Sequence, residues 1–184
     1  FWFGLLGVGI MLGSMISAYV GRGRVELGIV PLGALGIPVA LICLTLSDPM
    51  STSFNVCCVL LGVGGAFFFV PLNAFLQDRA GEERRGRVVA ASNLLTNLLS
   101  IVFIGIHAFL SNYLNLNPIE ELWVMTVPAV LIAGFVWYLL PEEIFRIATR
   151  ALTRIFYRLS VKGVENLPKK GGALILCNHV SYAD

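Results

Sequence analysis

Two residues close to the end of the chain, His179 and Asp184, have the types and spacing of a catalytic pair. In such a pair the carboxylate orients the imidazole and stabilises its protonated form, while the free ring nitrogen takes a proton from a hydroxyl group. A hydroxyl activated in this way can attack a thioester. A six-residue motif also occurs by chance, so the surrounding sequence decides how much weight it carries.

The residues before His179 predict the element that presents it. A short strand near residue 161 is followed by a turn containing Pro168, Gly171 and Gly172, and then by a buried strand over residues 173–177. This second strand would deliver His179 to the start of a loop or helix.

Most of the chain has the composition of a membrane protein. Hydrophobic residues make up 57% of it and charged residues only 13%, with a mean hydropathy of +0.83, whereas about a quarter of the residues of a soluble domain are charged. The four cysteines show no metal-ligand spacing and predict no disulfide framework. Lipid is the expected solvent, and neither a metal nor a nucleic acid is expected as a partner.

Five charge-free apolar stretches predict a mainly α, polytopic membrane protein. Each is close to the roughly 20 residues that a helix needs to cross the hydrocarbon core. A soluble bundle of buried helices is the alternative, but its helices would need polar faces that these runs lack. An apolar run is already under way at Phe1, which is typical of an internal fragment. The predicted spans cover residues 1–20, 28–46, 54–76, 88–110 and 122–140.

The basic residues predict the orientation of these spans. Arginines follow the first, third and fifth spans, whereas the connections around Asp48 and Glu120 contain no Lys or Arg. Five helices crossing in turn would place all the arginines on one face, and cytoplasmic loops are the ones enriched in Lys and Arg. The C-terminal tail is therefore expected in the cytoplasm.

Small residues are concentrated in the first and third spans. Small side chains let helix backbones approach closely in lipid, where no hydrophobic force drives association. Tight packing is one explanation for them, and bending during transport, helped by Pro31, Pro38 and Pro71, is the other. The glycines in question are Gly4, Gly9 and Gly13 in the first span and Gly62, Gly64 and Gly65 in the third.

Polar residues recur along one face of the fourth span: Ser92, Asn93, Thr96, Asn97 and Ser100. Amides that face lipid are costly, so this face should contact protein or a water-filled cavity. Packing of neighbouring helices and a substrate path are both compatible with it, as they are for Asn73 in the third span. His107 is placed off the main part of this face, either as a core histidine with a hydrogen-bond partner or as a proton relay.

The third and fourth spans resemble a known family. The strings V-P-L-N-A-F-L-Q-D-R at 70–79 and A-S-N-L-L-T-N at 91–97 are similar to the C-terminal half of bacterial lysophospholipid transporters of the major facilitator superfamily. The resemblance implies that residues 1–140 form helices eight to twelve of a twelve-helix transporter in the bacterial inner membrane. The asparagines that recur in that family fall here on Asn73, Asn93 and Asn97, which together with Thr96 are the residues predicted for a substrate path.

Residues 141–160 predict an amphipathic linker helix with a basic edge, formed by Arg146, Arg150, Arg154 and Arg158 at intervals of four. Such a helix would lie in the cytoplasmic interface of the bilayer, close to anionic lipid. The alternative is an ordinary solvated face on a helix that docks to the next domain.

Residues 161–184 resemble the start of a glycerolipid acyltransferase domain of the α/β class. The string N-H-V-S-Y-A-D after a buried strand matches the first block of that family, N-H-x-S-x-x-D. The resemblance implies that His179 is the general base and Asp184 its orienting partner, with an acyl-carrier protein or coenzyme A thioester as the acyl donor and no bound cofactor. Later family blocks would follow Asp184, so the stretch present is expected to be inactive by itself.

These features together predict a fused protein that takes lysophospholipid across the inner membrane and reacylates it. A major facilitator permease for a small solute or drug, with a non-catalytic C-terminal tail, is the alternative. A membrane scaffold without transport or catalysis is a third possibility, in which the polar face serves packing alone.

Overall fold

The computed structural model describes residues 1–21 and 25–156, which form six α-helices and a short 3-10 turn, Leu27–Ile29. The strands predicted within 161–184 lie outside these residues. Contacts divide the chain into two units, Phe1–Ala148 and Thr149–Asp184. Within the second unit the described residues are the last turns of the sixth helix. The helices are α1 (Trp2–Gly21), α2 (Val30–Leu46), α3 (Thr52–Arg79), α4 (Gly81–Asn112), α5 (Pro118–Leu139) and α6 (Pro141–Phe156).

Helices α1 to α5 are each long and apolar enough to cross a membrane. Each contains nearly all of one predicted span, because an uninterrupted apolar stretch in lipid must satisfy its own backbone hydrogen bonds within a helix. The length and composition of these helices confirm the prediction of a multi-pass, mainly helical membrane protein.

Polar residues in the connections fix where the helices begin. The hydroxyl of Ser51 accepts a hydrogen bond from the backbone N–H of Phe54 at 3.2 Å and caps α3. Asn117 caps α5 through a reciprocal arrangement, in which its side chain accepts from the N–H of Glu120 while the Glu120 carboxylate accepts from the N–H of Asn117. Pro118 follows directly, at a position where a missing N–H costs nothing.

The connection between α3 and α4 is a single residue, Ala80, followed by Gly81 with φ of +68°. This left-handed conformation is accessible to glycine without the steric cost that a Cβ atom imposes. The chain therefore passes from one long helix to the next with almost no loop.

Helix α3 is the centre of the described fold, and α1 packs against it through glycine. A Cβ atom on Gly9 would collide with the carbonyl oxygen of Val59, and one on Gly13 would lie 2.8 Å from the Cβ of Ala66. From the other side, a Cβ on Gly62 would collide with the carbonyl oxygen of Leu6. The backbones are in direct contact, which confirms tight packing as a role of these small residues.

Helix α2 packs on α3 and α5. Gly33 approaches the backbone of Phe68 too closely to allow a side chain. A buried cluster of Val30, Ala34, Ala133 and Val136 joins α2 to α5. The indole Nε1 of Trp137 donates a hydrogen bond to the carbonyl oxygen of Pro31 at 3.0 Å, which adds a polar contact to an apolar interface.

Helix α4 is packed far less than the others. Within this helix, which the structure describes in full, Leu110 is the one buried residue. Near its end, the N–H of Leu116 donates to the carbonyl oxygen of Leu110 at 3.2 Å. The middle of α4, including Leu95, Ile101 and Ile104, is exposed. The position of α4 therefore depends on contacts near the two ends of the helix.

The glycine contact between α1 and α3 predicts a stability difference. Gly9→Ala should lower the free energy of unfolding by about 1–3 kcal/mol, because the new methyl group must push two backbones apart. Gly4→Ala is the matched control on the same helix, since no atom lies within 4 Å of a Cβ there. Thermal unfolding of the purified intact protein in detergent measures both. Equal melting temperatures for the two variants would contradict the packing described.

Candidate functional site

The predicted catalytic pair, His179 and Asp184, lies outside the described residues. The same holds for Arg158 and for the side chains of Arg150 and Arg154. Their roles remain predictions from the sequence. The candidate site that the structure describes lies in the membrane-spanning helices and at one end of them.

The polar face of α4 is continuous, because α4 is helical without interruption from Gly81 to Asn112. Two hydroxyls on it bond back to their own helix: Thr96 Oγ1 donates to the carbonyl oxygen of Ser92 at 2.9 Å, and Ser100 Oγ to that of Thr96 at 2.8 Å. The amides of Asn93 and Asn97 are exposed and have no hydrogen-bond partner among the described residues. The described helices do not cover this face, so its contact with protein or with a water-filled cavity stays a prediction.

His107 belongs to the same polar face. It follows Ser100 by seven residues, which at 3.6 residues per turn places the two within about 20° around the helix axis. The expectation that His107 lies off this face in the core is therefore wrong on both counts, since 66% of its side chain is exposed. It does have a partner, because its Nδ1 lies 2.7 Å from Oε2 of Glu121 on α5.

Glu121 was not predicted as a site residue, and helix capping explains why it faces His107. Its neighbour Glu120 turns back to the N–H of Asn117 at 2.8 Å and completes the cap of α5. Glu121, one residue further, points about 100° around the helix from Glu120 and reaches α4. Only 15% of its side chain is exposed. The sequence feature that could have predicted this contact is the position of His107 and Glu121 on either side of the short connection between α4 and α5.

An apolar cavity of about 530 Å³ lies between α1, α2 and α3. It ends near Phe69 and Val70, one helical turn before Asn73. The side chain of Asn73 is half-buried and donates from Nδ2 to the carbonyl oxygen of Phe69 at 3.1 Å. An apolar space is thus followed by a polar group along the same helix. The cavity is lined by Leu6, Ile10, Ile37, Leu61, Gly62, Gly65, Ala66, Phe69 and Val70.

A charged cluster lies at the start of α6. Arg146 donates to Oε1 of Glu26 at 2.6 Å and lies at the same distance from Oε2 of Glu143. The hydrogen bond to the Glu26 carboxylate raises the pKa of the Arg146 guanidinium. Arg146 contacts two carboxylates of its own chain, and 44% of its side chain stays exposed. Its position at the membrane surface stays a prediction.

A second cavity, of about 590 Å³, adjoins this cluster and shows how the connections are arranged. Residues after α1 (Val25), at the end of α3 (Asp78 and Arg79) and in α6 (Arg146) all line it. Arg79 also lies over the ring of Phe75, with 5.2 Å between the guanidinium carbon and the ring centroid. These three connections therefore share one end of the helices, as alternate crossing requires.

Comparison with known proteins points to transporters. No family model matches the chain, and no solved structure matches it. It is similar to proteins named lysophospholipid transporter LplT from Klebsiella pneumoniae (32% identity over 105 residues, 56% of this chain and 26% of the relative) and Serratia proteamaculans (33% over 108 residues, 56% and 26%). The protein of the same name from Yersinia enterocolitica is 31% identical over 104 residues, 55% of this chain and 25% of the relative. The chain spans about a quarter of the length of these curated relatives.

Proposed function

We propose that the protein carries lysophospholipid across the bacterial inner membrane, as part of a transporter of the major facilitator superfamily. The observation that carries this proposal is the apolar cavity that ends one helical turn before Asn73, in a chain similar to proteins named lysophospholipid transporters. A lysophospholipid has one acyl chain and one polar headgroup. The cavity suits the chain, because ligand sites combine an apolar lining with a few placed polar groups.

The polar face of α4 supports the same function. Exposed amides in hydrocarbon lose the hydrogen bonds that they make in water, so Asn93 and Asn97 would destabilise a helix that simply faced lipid. We propose that this face borders the passage of the headgroup, where water and substrate replace those bonds. Packing against another helix is the alternative role.

The charged end of the helices is proposed to face the cytoplasm. The connections that meet there contain the arginines, and such loops are enriched on the cytoplasmic side. The amphipathic helix α6 starts from this end. It would then lie where lipid leaves the transporter on the inner side.

An acyltransferase attached at this end would act on the transported lipid. His179 is proposed as the general base that activates the free hydroxyl of the lysophospholipid, and Asp184 as its orienting partner. The hydroxyl oxygen attacks the thioester carbonyl of acyl-carrier protein or coenzyme A, and the thiol leaves. The motif N-H-V-S-Y-A-D supports this second activity, and a facilitator for a small solute with a non-catalytic tail is the rival function.

Filling the apolar cavity tests the transport proposal. Gly65→Leu should lower uptake of lysophosphatidylethanolamine into vesicles containing the intact protein by about tenfold, since hydrophobic pockets discriminate single methylene groups to this extent. No atom lies within 4 Å of a Cβ at Gly65, so the fold tolerates the change. Gly105→Leu on α4 is the matched control, with the same open surroundings outside the cavity. Unchanged uptake in Gly65→Leu would argue against the cavity as the acyl-chain site.

Replacing the two amides of α4 tests the role of its polar face. Asn93→Leu with Asn97→Leu should reduce uptake by about thirtyfold while the protein still inserts and folds, because about 1 kcal/mol is lost with each of two hydrogen bonds to the headgroup or its water. Leu94→Ala with Leu98→Ala alters the opposite face, which is also exposed, and should leave uptake nearly unchanged. Full uptake in the asparagine variant would leave packing as the role of this face.

Removing the proposed base separates the two activities. His179→Ala in the intact protein should lower reacylation of lysophosphatidylethanolamine by about a hundredfold or more, the usual contribution of a general base. Uptake into vesicles should stay near that of the parent protein. Reacylation at the parent rate would rule out His179 as the base, and equal loss of both activities would rule out separate roles.

A further inference from the structure

The contact between His107 and Glu121 has a defined protonation pattern. An ionised carboxylate can only accept hydrogen bonds, so whenever Glu121 is ionised, the Nδ1 atom 2.7 Å from its Oε2 carries the proton and donates it. In the neutral imidazole the lone pair is then on Nε2. This atom is open to bind a second proton, because most of the His107 side chain is exposed.

A second proton changes the net charge of this pair from −1 to zero. Its carboxylate member, Glu121, is largely buried. An imidazole changes its charge between pH 5 and 8, where other side chains keep theirs unless perturbed.

Among the described residues, the elements packed on this pair carry few other charged groups. Helix α2 packs on α5, and Asp48, just after α2, accepts a hydrogen bond from the N–H of Met50 at 3.3 Å. On α5 the neighbouring carboxylate, Glu120, is held by the N–H of Asn117. On α4 itself the titratable neighbour is Tyr113, and the next charged residue, Arg87, lies twenty positions earlier. Helix α3, the other helix packed on α4, has its charged residues at the opposite end, about 39 Å along α4 from His107.

This pair is one of the few contacts that hold the end of α4 in place. Helix α4 is held by its short link to α3 at one end, and by Leu110 and the pair at the other. Protonation turns the neutral donor into a charged one, and such charge-assisted hydrogen bonds are roughly twice as strong. We propose that His107 and Glu121 form a proton-binding site, and that its occupancy sets how firmly the end of α4, with its polar face, is held to α5.

The site works without any covalent step beyond the exchange of one proton. The proton comes from water to Nε2 of His107 and returns to water, with Nδ1–H bonded to Glu121 throughout. Its consequence for uptake rests on the proposed transport function, because Asn93 and Ser100 share the helix face of His107 and move with it. Proton binding itself does not depend on that function.

The experiment measures helix separation and uptake in the same variants. Spin labels at Leu98 on α4 and Leu131 on α5, both exposed positions, report the distance between the two helices in the intact protein in lipid vesicles, with native cysteines replaced by alanine. The distance distribution should shift between pH 5 and pH 8, and uptake of lysophosphatidylethanolamine should change by about tenfold over the same range. Both dependences should vanish in His107→Gln and in Glu121→Gln.

Two further variants sharpen the result. His107→Arg has a permanent positive charge and should keep the distance measured at pH 5 for the parent at both pH values. Tyr113→Phe removes the neighbouring titratable group, preserves the ring stack with Phe109, and should retain the full pH response. If His107→Gln does not fold, Glu121→Gln still gives the decisive comparison.

The outcomes separate the two proposals. A distance that does not change with pH in the parent, or that still changes in His107→Gln or Glu121→Gln, overturns the proton site. A distance change that requires both residues, without uptake of lysophospholipid at any pH, supports the proton site and overturns the proposed transport. A distance change that requires both residues, with an uptake profile that His107→Gln makes flat, supports both.

Discussion

Direct backbone contact of α1 and α2 with the glycine-rich face of α3 is the constraint on which the rest of the described structure depends. In lipid the apolar surfaces of helices gain nothing by leaving the solvent, so close packing and dispersion must hold them together. Gly9 and Gly62 provide that closeness between α1 and α3, and Gly33 between α2 and α3. The apolar cavity lies beside these contacts, and the end of α3 brings Asp78 and Arg79 to the charged cluster.

Many polar groups of the described residues are satisfied at three levels, whereas the buried Oδ1 of Asn55 has no hydrogen-bond partner among these residues. Local bonds serve most of them, as when Thr96 and Ser100 bond to carbonyl groups of their own helix. Helix caps serve the connections, and cross-helix contacts serve the few ionisable groups, His107 with Glu121 and Arg146 with Glu26. The amides of Asn93 and Asn97 belong to none of these levels among the described residues, which is why they stand out as candidates for substrate contact.

The sequence predicted the helices well because length and apolarity determine them almost alone. It also predicted close packing from Gly9 and Gly62, although it could not say which helices meet. Two other glycines that it named, Gly4 and Gly65, have no atom within 4 Å of a Cβ. Gly33 was missed, although Ala34 and Gly36 lie beside it in the sequence. The contact of Arg146 with Glu26 joins residues 120 positions apart, and no local pattern points to it. The pairing of His107 with Glu121 could have been predicted from the sequence, since helix register and a short connection bring both residues to the interface of α4 and α5. The residues of the predicted catalytic motif lie outside the described part of the chain.

The short connection at Gly81 has a mechanical consequence. With Ala80 as the whole connection, the start of α4 is tied to the end of α3. His107 lies about 39 Å further along α4, so a tilt of α4 by about 10° about this connection would displace it by about 7 Å, while residues near Arg84 would hardly move. Small angular changes at the charged end would thus become large displacements at the other end of the same helix.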